Sequence, residues 1–244
     1  MNNTYTIMLP VANNLPLANE CINHLLSVTD IPIIVIDDGG VDENYPKSDQ
    51  LKFIHNTITE RPGLAKIWNQ CIRECPTEYV IIASWRPRPD ACIFDKIKQK
   101  LDEGFGLVAM ETLHFFAFSK HLTTTMGWFD TGFTKGQFED TDTFNRLFVN
   151  DIALYIADEI REVPHQSMWL DFQNNKDYFH TKWKEESPNL IQFREEVNIK
   201  DREIYKGKYS DRVYKPFSES ELKVPGVKNY YTNLFRIPIK RFAV

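Results

Sequence analysis

Three carboxylates lie within four residues at Glu139-Asp140-Thr141-Asp142. Like charges this close raise one another's pKa and prepare one of them to accept a proton, which is the work of a general base. The cluster ends a stretch that begins at a Gly-aromatic turn, Gly127-Trp128-Phe129-Asp130, and it leads into an amphipathic run from Thr143 to Val149. The same acids would suit a helix N-terminus, complementing the macrodipole and capping N–H groups. A second acidic pair, Asp37-Asp38, follows the β-branched run Ile31 to Ile36 and precedes Gly39-Gly40. The pair makes a sharp polar turn at the carboxyl end of that run. A third polar group, Ser84 to Asp90, follows the apolar run Tyr79 to Ala83 and carries Arg86 and Arg88.

The elements that must position these groups can be read from periodicity. Tyr5 to Leu9 reads as a buried strand ended by Pro10, and Asn13-Asn14 as turn and cap residues before a helix with Leu17, Cys21, Leu25 and Val28 on one face. Ile31 to Ile36 is apolar throughout, the pattern of a strand buried on both faces in a parallel sheet. Leu51 to His55 and Tyr79 to Ala83 are further strands, with a helix from Gly63 to Cys75 between them and another over Ala91 to Leu101. Leu107 to Met110, Phe115 to Ser119 and Ala153 to Ala157 complete the strands, and 84–90 reads as a loop. The expected fold is α/β: a mostly parallel central sheet flanked by helices over residues 1–170, with a helical or irregular extension at 171–244. Ligands in such sheets bind at the carboxyl ends of the strands, where Pro10 to Asn14, Asp37-Asp38 and Ser84 to Asp90 fall. GxGxxG and GxxxxGK[ST] are both absent, so neither a dinucleotide site nor a P-loop is supported.

Composition narrows the class. At 42% hydrophobic and 13% aromatic residues, the 244-residue chain can bury a large core. Its apolar runs are strand-sized, too short to span a bilayer. The opening MNNTYTIMLP has no basic n-region, and four cysteines show no CxxC spacing, so a reducing, cytoplasmic setting is expected. Residues 1–170 hold 14 Lys+Arg against 23 Asp+Glu, a net of −9; residues 171–244 hold 15 against 11, a net of +4. An acidic body argues against nucleic acid. From Lys200 to Arg241 there are 11 Lys+Arg against 5 Asp+Glu, interleaved with tyrosines and phenylalanines. That tail suits either peripheral contact with an anionic membrane or packing back onto the body.

The order of these motifs resembles the family 2 glycosyltransferases with the GT-A fold. The resemblance rests on Leu9-Pro10-Val11-Ala12-Asn13, on Val35-Ile36-Asp37-Asp38-Gly39, on Gly63 to Asn69, on Gly127-Trp128-Phe129-Asp130 before Glu139-Asp140, on Val163-Pro164-His165, and on Phe179-His180-Thr181-Lys182-Trp183. It covers roughly residues 4–184. It implies an inverting transfer of a sugar from a nucleotide-diphosphate donor, a UDP-sugar foremost, to a hydroxyl on a glycan, lipid-linked or protein acceptor. Asp140 would be the general base, held by Glu139 or Asp142. Pro10, Asn13, Asp37, Asp38, Arg61 and Asn69 would line the nucleotide pocket, and His165 would meet the diphosphate or a metal. Trp128 and Phe129 fit a wall for an apolar sugar face.

One departure matters. The family carries Asp-x-Asp after the fourth strand, where the acids hold Mn²⁺ or Mg²⁺ against the diphosphate; here the aligned residues are Ser84-Trp85-Arg86. A hydroxyl and a guanidinium do not make a hard-cation site. Three readings stand at this point: Arg86 or Arg88 meets the diphosphate in the metal's place, a metal sits on other acids such as Asp38 or Asp90, or the chain binds a nucleotide or glycan without catalysis.

Overall fold

The computed structural model describes residues 4–12, 15–38, 44–56, 63–110, 113–134, 136, 138–150, 152–157, 160–163 and 172–186. The expected pocket residues Asn13, Arg61 and His165 lie outside these, as does the segment 187–244.

A seven-stranded sheet forms the centre, in the order β3-β2-β1-β4-β7-β6-β8. The strands are β1 (Tyr5–Val11), β2 (Ile33–Asp37), β3 (Leu51–His55), β4 (Tyr79–Ala83), β6 (Leu107–Ala109), β7 (Phe115–Ser119) and β8 (Leu154–Ile156). β3, β2, β1 and β4 are parallel, β7 runs antiparallel to both β4 and β6, and β8 is parallel to β6. A second, two-stranded sheet pairs β5 (Pro87–Pro89) antiparallel with β9 (Ile160–Glu162).

Alternation along the strands sends side chains to two layers. Ile7, Leu9, Val11, Ile33 and Val35 pack against α1 (Leu15–Val28) and α3 (Cys92–Asp102). Met8, Ile34, Ile36, Val80 and Ile82 pack against α2 (Leu64–Glu74), α4 (Leu122–Met126) and α5 (Glu139–Val149). On α2 the buried stripe is Ala65, Ile67, Trp68, Cys71 and Ile72. Leu64, at the start of the helix, is exposed. Trp68 lies edge-on to Phe116 and Phe129, with centroids 5.2 and 5.0 Å away, and so fixes the Gly127–Asp130 turn to the sheet.

Two expectations change here, both at prolines. β1 does not end at Pro10 but continues to Val11. The Ile7 N–H points to β2, where it reaches Pro32 O, so by alternation Pro10 faces β4; pairing with β4 has already ended at Met8, and the missing N–H costs no ladder bond. The loop 84–90 contains a strand, β5, despite two prolines. Arg86 O accepts from Val163 N across the ribbon, so Pro87 and Pro89 turn away from β9. Their carbonyls are instead met by α1, through Cys21 Sγ at 3.6 Å and His24 Nε2 at 2.8 Å. Burial, opposed by the nearby Arg88 charge, pushes the Cys21 thiol up to about 12, which keeps it a donor.

Candidate active site

Residues at the carboxyl ends of β1, β2 and β3 form one cluster. Asp38 N donates to Val11 O and Asn56 N donates to Asp37 O, both at 2.9 Å, so three strand ends are laced together where they would meet a ligand. Asp37 is buried on the α1 side, 3.5 Å from His55 Nδ1. Asp38 faces the α2 side, where Asn56 Nδ2 donates to it at 2.6 Å; Asn56 and Gln70 exchange two amide bonds of 2.9 Å behind it. Each carboxylate of the pair thus has its own layer and its own support. On β1, Pro10 lies opposite Ile36 and Val11 opposite Asp37.

Across β1, the end of β4 supplies the arginines. Ser84 N donates to His114 O at 2.7 Å. Arg86 lies 3.2 Å from Glu162. Arg88 curls back so that Nη1 donates to the carbonyls of Trp85, Arg86 and Pro87, and its Nη2 lies 3.5 Å from the exposed Glu20. Arg88 therefore shapes the loop. The residues at this strand end do not fit the metal ion that the family resemblance implies. A hydroxyl and a guanidinium stand at the two acid positions, and Glu162, the carboxylate bonded there, already has Arg86 and His114 on its oxygens. Among the described residues no group of three or more His, Cys, Asp or Glu side chains could hold a metal ion.

The acidic cluster opens α5, as its spacing predicts, and the structure gives its three carboxylates different surroundings. Asp142 is fully buried, with Arg146 Nη2 and Lys182 Nζ each 2.8 Å from its oxygens. Its carboxylate anchors these two cations. Glu139 is buried at the first turn, where its carbonyl accepts from Thr143 Oγ1. Asp140 is partly exposed. Its Oδ1 accepts from Thr141 N at 2.7 Å and Thr141 Oγ1 at 3.3 Å, while its Oδ2 makes no hydrogen bond among the described residues. One oxygen fixed and one open is the arrangement a general base needs. Phe138, just before the helix, has φ 68°, an uncommon left-handed conformation for a bulky residue, and its ring packs on Phe179 at 5.4 Å.

The Gly127–Asp130 turn is tied down at each residue. Gly127 has φ 84°, closing α4 in a conformation that favours glycine. Arg146 Nη1 donates to Trp128 O at 2.6 Å. Asn69, expected at the nucleotide, accepts from Phe129 N at 2.9 Å and donates to Phe129 O at 2.8 Å. Asp130 takes Lys182 Nζ at 2.5 Å, Gly132 N at 2.8 Å and the Tyr178 hydroxyl at 3.1 Å. Burial opposes the ionisation of Asp130, but these hydrogen bonds and the Lys182 charge outweigh it and hold the carboxyl below its ordinary value. Of the two aromatics expected to form a sugar-binding wall, Phe129 is core and Trp128 is 46% exposed.

Several of these supporting residues carry little signal in the chain. Asp142 and Arg146 are an i,i+4 pair on a helix and could be found that way. Lys182 lies in the Phe179–Trp183 stretch that carries part of the resemblance, but Glu162 and His114 meet over a separation of 48 residues, which no local pattern encodes.

Comparison with solved structures places the architecture. Glucosyl-3-phosphoglycerate synthase from Mycobacterium tuberculosis, solved with Mn²⁺, UDP and phosphoglyceric acid, is similar at a TM-score of 0.51 and 17% identity, over 75% of this chain and 78% of that one. S. aureus TarS 1-349 bound to UDP-GlcNAc is similar at 0.50 and 13%, over 68% and 59%. GalNAc-T7 with UDP, GalNAc and Mn²⁺ is similar at 0.50 and 9%, over 59% and 40%. The chain spans about half the length of the first structures it matches, 52%, 40% and 55% of them. No protein-family model matches the chain, and no curated protein gives a significant match. The seven-stranded mixed sheet, its flanking helix layers and these similarities together give the chain the GT-A fold of nucleotide-sugar glycosyltransferases.

Proposed function

We propose that the chain is a glycosyltransferase that moves a sugar from a nucleotide-diphosphate donor to an acceptor hydroxyl with inversion. The observation that carries this is Asp140: of three clustered acids it alone is partly exposed, with Oδ1 tethered and Oδ2 open. Asp140 takes the proton of the acceptor hydroxyl while that oxygen bonds to the anomeric carbon from the face opposite the leaving group. The bond from that carbon to the diphosphate breaks, and the electron pair leaves with the phosphate oxygen. Arg86 meets the charge that develops there, without a metal ion. Asp37 and Asp38, with Pro10, Asn13 and Arg61, receive the nucleoside; UDP is the first candidate, since two of the similar structures hold UDP and a third UDP-GlcNAc. His165 is kept as a second contact to the diphosphate.

The test is a donor screen by nucleotide-sugar hydrolysis and transfer, run with EDTA and with added Mn²⁺. Turnover that survives EDTA is expected; full dependence on Mn²⁺ would overturn the metal-independent part of the reading. No helix of the described residues is long and apolar enough to cross a membrane. We place the reaction in the cytoplasm. The basic, aromatic segment 200–244 has two readings, a membrane-peripheral contact near a lipid-linked acceptor or packing onto the body. Salt-sensitive sedimentation with anionic liposomes, lost on removing 200–244, separates them.

A further inference from the structure

Where the fold's metal-binding acid would stand, this chain has Arg86, and the structure shows what fixes it. Arg86 Nη2 is 3.2 Å from Glu162 Oε2, and Nε is 3.5 Å from Val163 O. The other oxygen of Glu162, Oε1, is 2.6 Å from His114 Nδ1. All three side chains are largely buried, at 18%, 22% and 28% exposure. They come from three places in the chain that backbone bonds hold in register: Val163 N to Arg86 O at 3.1 Å, and Ser84 N to His114 O at 2.7 Å.

A guanidinium is planar, so bonds at Nε and Nη2 set the direction of Nη1 as well. Nη1 of Arg86 makes no hydrogen bond among the described residues, in contrast to Nη1 of Arg88, which three carbonyls share. Glu162 is itself held from two sides, by a cation on one oxygen and an imidazole on the other. Such a chain of contacts is how outlying residues orient a group that must meet charge in a fixed geometry.

We propose that Glu162 is a positioning residue for the donor. Backed by His114, it holds the plane of Arg86 so that the Nη1 edge faces the leaving diphosphate, at the position the fold otherwise gives to a divalent cation. This rests on the donor reading above. It carries a particular consequence, because a carboxylate near a diphosphate is repulsive by charge alone. If Glu162 acted only through charge, Glu162→Gln would tighten diphosphate binding; if it acts through Arg86, the same change loosens it.

The test measures UDP and uridine affinity by calorimetry on the full chain, with GDP and guanosine in parallel. Arg86→Ala is expected to weaken UDP at least tenfold and leave uridine unchanged. Glu162→Gln should weaken UDP at least threefold, again with uridine unchanged, and should add nothing in the Arg86→Ala background. His114→Asn, which keeps an amide donor near the position of Nδ1, should retain UDP affinity that His114→Phe loses. Uridine affinity reports that each variant is folded; should Glu162→Gln not fold, the two His114 variants carry the test. UDP affinity that is unchanged or tighter in Glu162→Gln, or an equal loss with and without Arg86, overturns the role of Glu162 and leaves the donor reading standing. An Arg86→Ala chain that binds UDP as the wild type does, or a wild type that binds neither diphosphate, overturns the donor reading and this inference with it.

Discussion

Asp140 and Asp142 are separated by one threonine, yet one is partly exposed and the other is closed inside the protein. The reason lies in helix geometry: two residues apart on α5 means opposite faces, one toward the sheet and one toward the rim. Asp140→Asn should lower turnover by about 10²–10⁴ with nucleotide affinity and unfolding midpoint unchanged. Asp142→Asn should do the reverse. It leaves Arg146 and Lys182 without their shared carboxylate and should cost about 3 kcal/mol in urea unfolding. Should Asp142→Asn stop transfer while its stability is intact, Asp142 belongs in the reacting centre after all. The chain alone presented these acids as a single cluster. Telling them apart requires knowing which face of α5 meets the sheet, and that depends on Leu147 packing beneath the helix and on Lys182, forty residues away.

At the scale of elements, two asparagines hold the loop that precedes α5 by the same device. Asn69 on α2 takes both backbone groups of Phe129; Asn175 on α6 (Phe172–Glu186) takes N and O of Thr134 at 3.0 and 2.7 Å, and also Gly136 O at 3.1 Å. Each side chain stands in for the edge of a strand. Asn69→Ala leaves two buried backbone groups unpaired and should cost about 2 kcal/mol or more, lowering transfer by displacing the turn while UDP affinity stays as it was. A stable Asn69→Ala chain with weakened UDP binding would return Asn69 to the nucleotide pocket. The second tie on this loop, Asp130 with Lys182, depends on pH. Its carboxyl titrates lower in the folded chain than in the unfolded one, so its stabilisation is fully present above the ordinary value of 3.8 and is lost as pH falls through the lower, folded value. Urea midpoints measured from pH 7 to pH 3 should therefore fall more gently below 3.8 in Asp130→Asn than in the wild type; parallel curves would sink this account. The strands and helices of the sheet were legible in the chain because their apolar periods are strong. The β5–β9 ribbon was not, since two prolines mask β5 and its register is set by α1 side chains that cap the outer carbonyls.

At the scale of the whole molecule, the question is where the sheet-bearing body ends. Charge and composition suggested residue 170, because the basic excess begins there. Contacts extend further. α6 lies beyond that point and carries Asn175 at 1% exposure, Phe179 at 4%, and Lys182, which joins Asp130 to Asp142. The Lys182 ammonium also lies 5.7 Å from the Phe133 ring, and Tyr178 stacks edge-on against Phe133 at 5.0 Å. Helix α6 thus packs over the loop between the Gly127 turn and α5. Two truncations test this. A chain ending at Glu186 should melt in one cooperative transition near the wild-type midpoint, because it retains every contact named here. A chain ending at Leu170 should aggregate or lose fixed tertiary structure, because fully buried Asp142 keeps one cation of two, Thr134 loses both backbone partners and the Phe138 ring loses Phe179. The aromatic circular-dichroism signal of the shorter chain is the readout. If it matches that of the longer chain through the same thermal range, α6 is an appendage, and the Asp130 and Asp142 carboxylates must find their cations elsewhere.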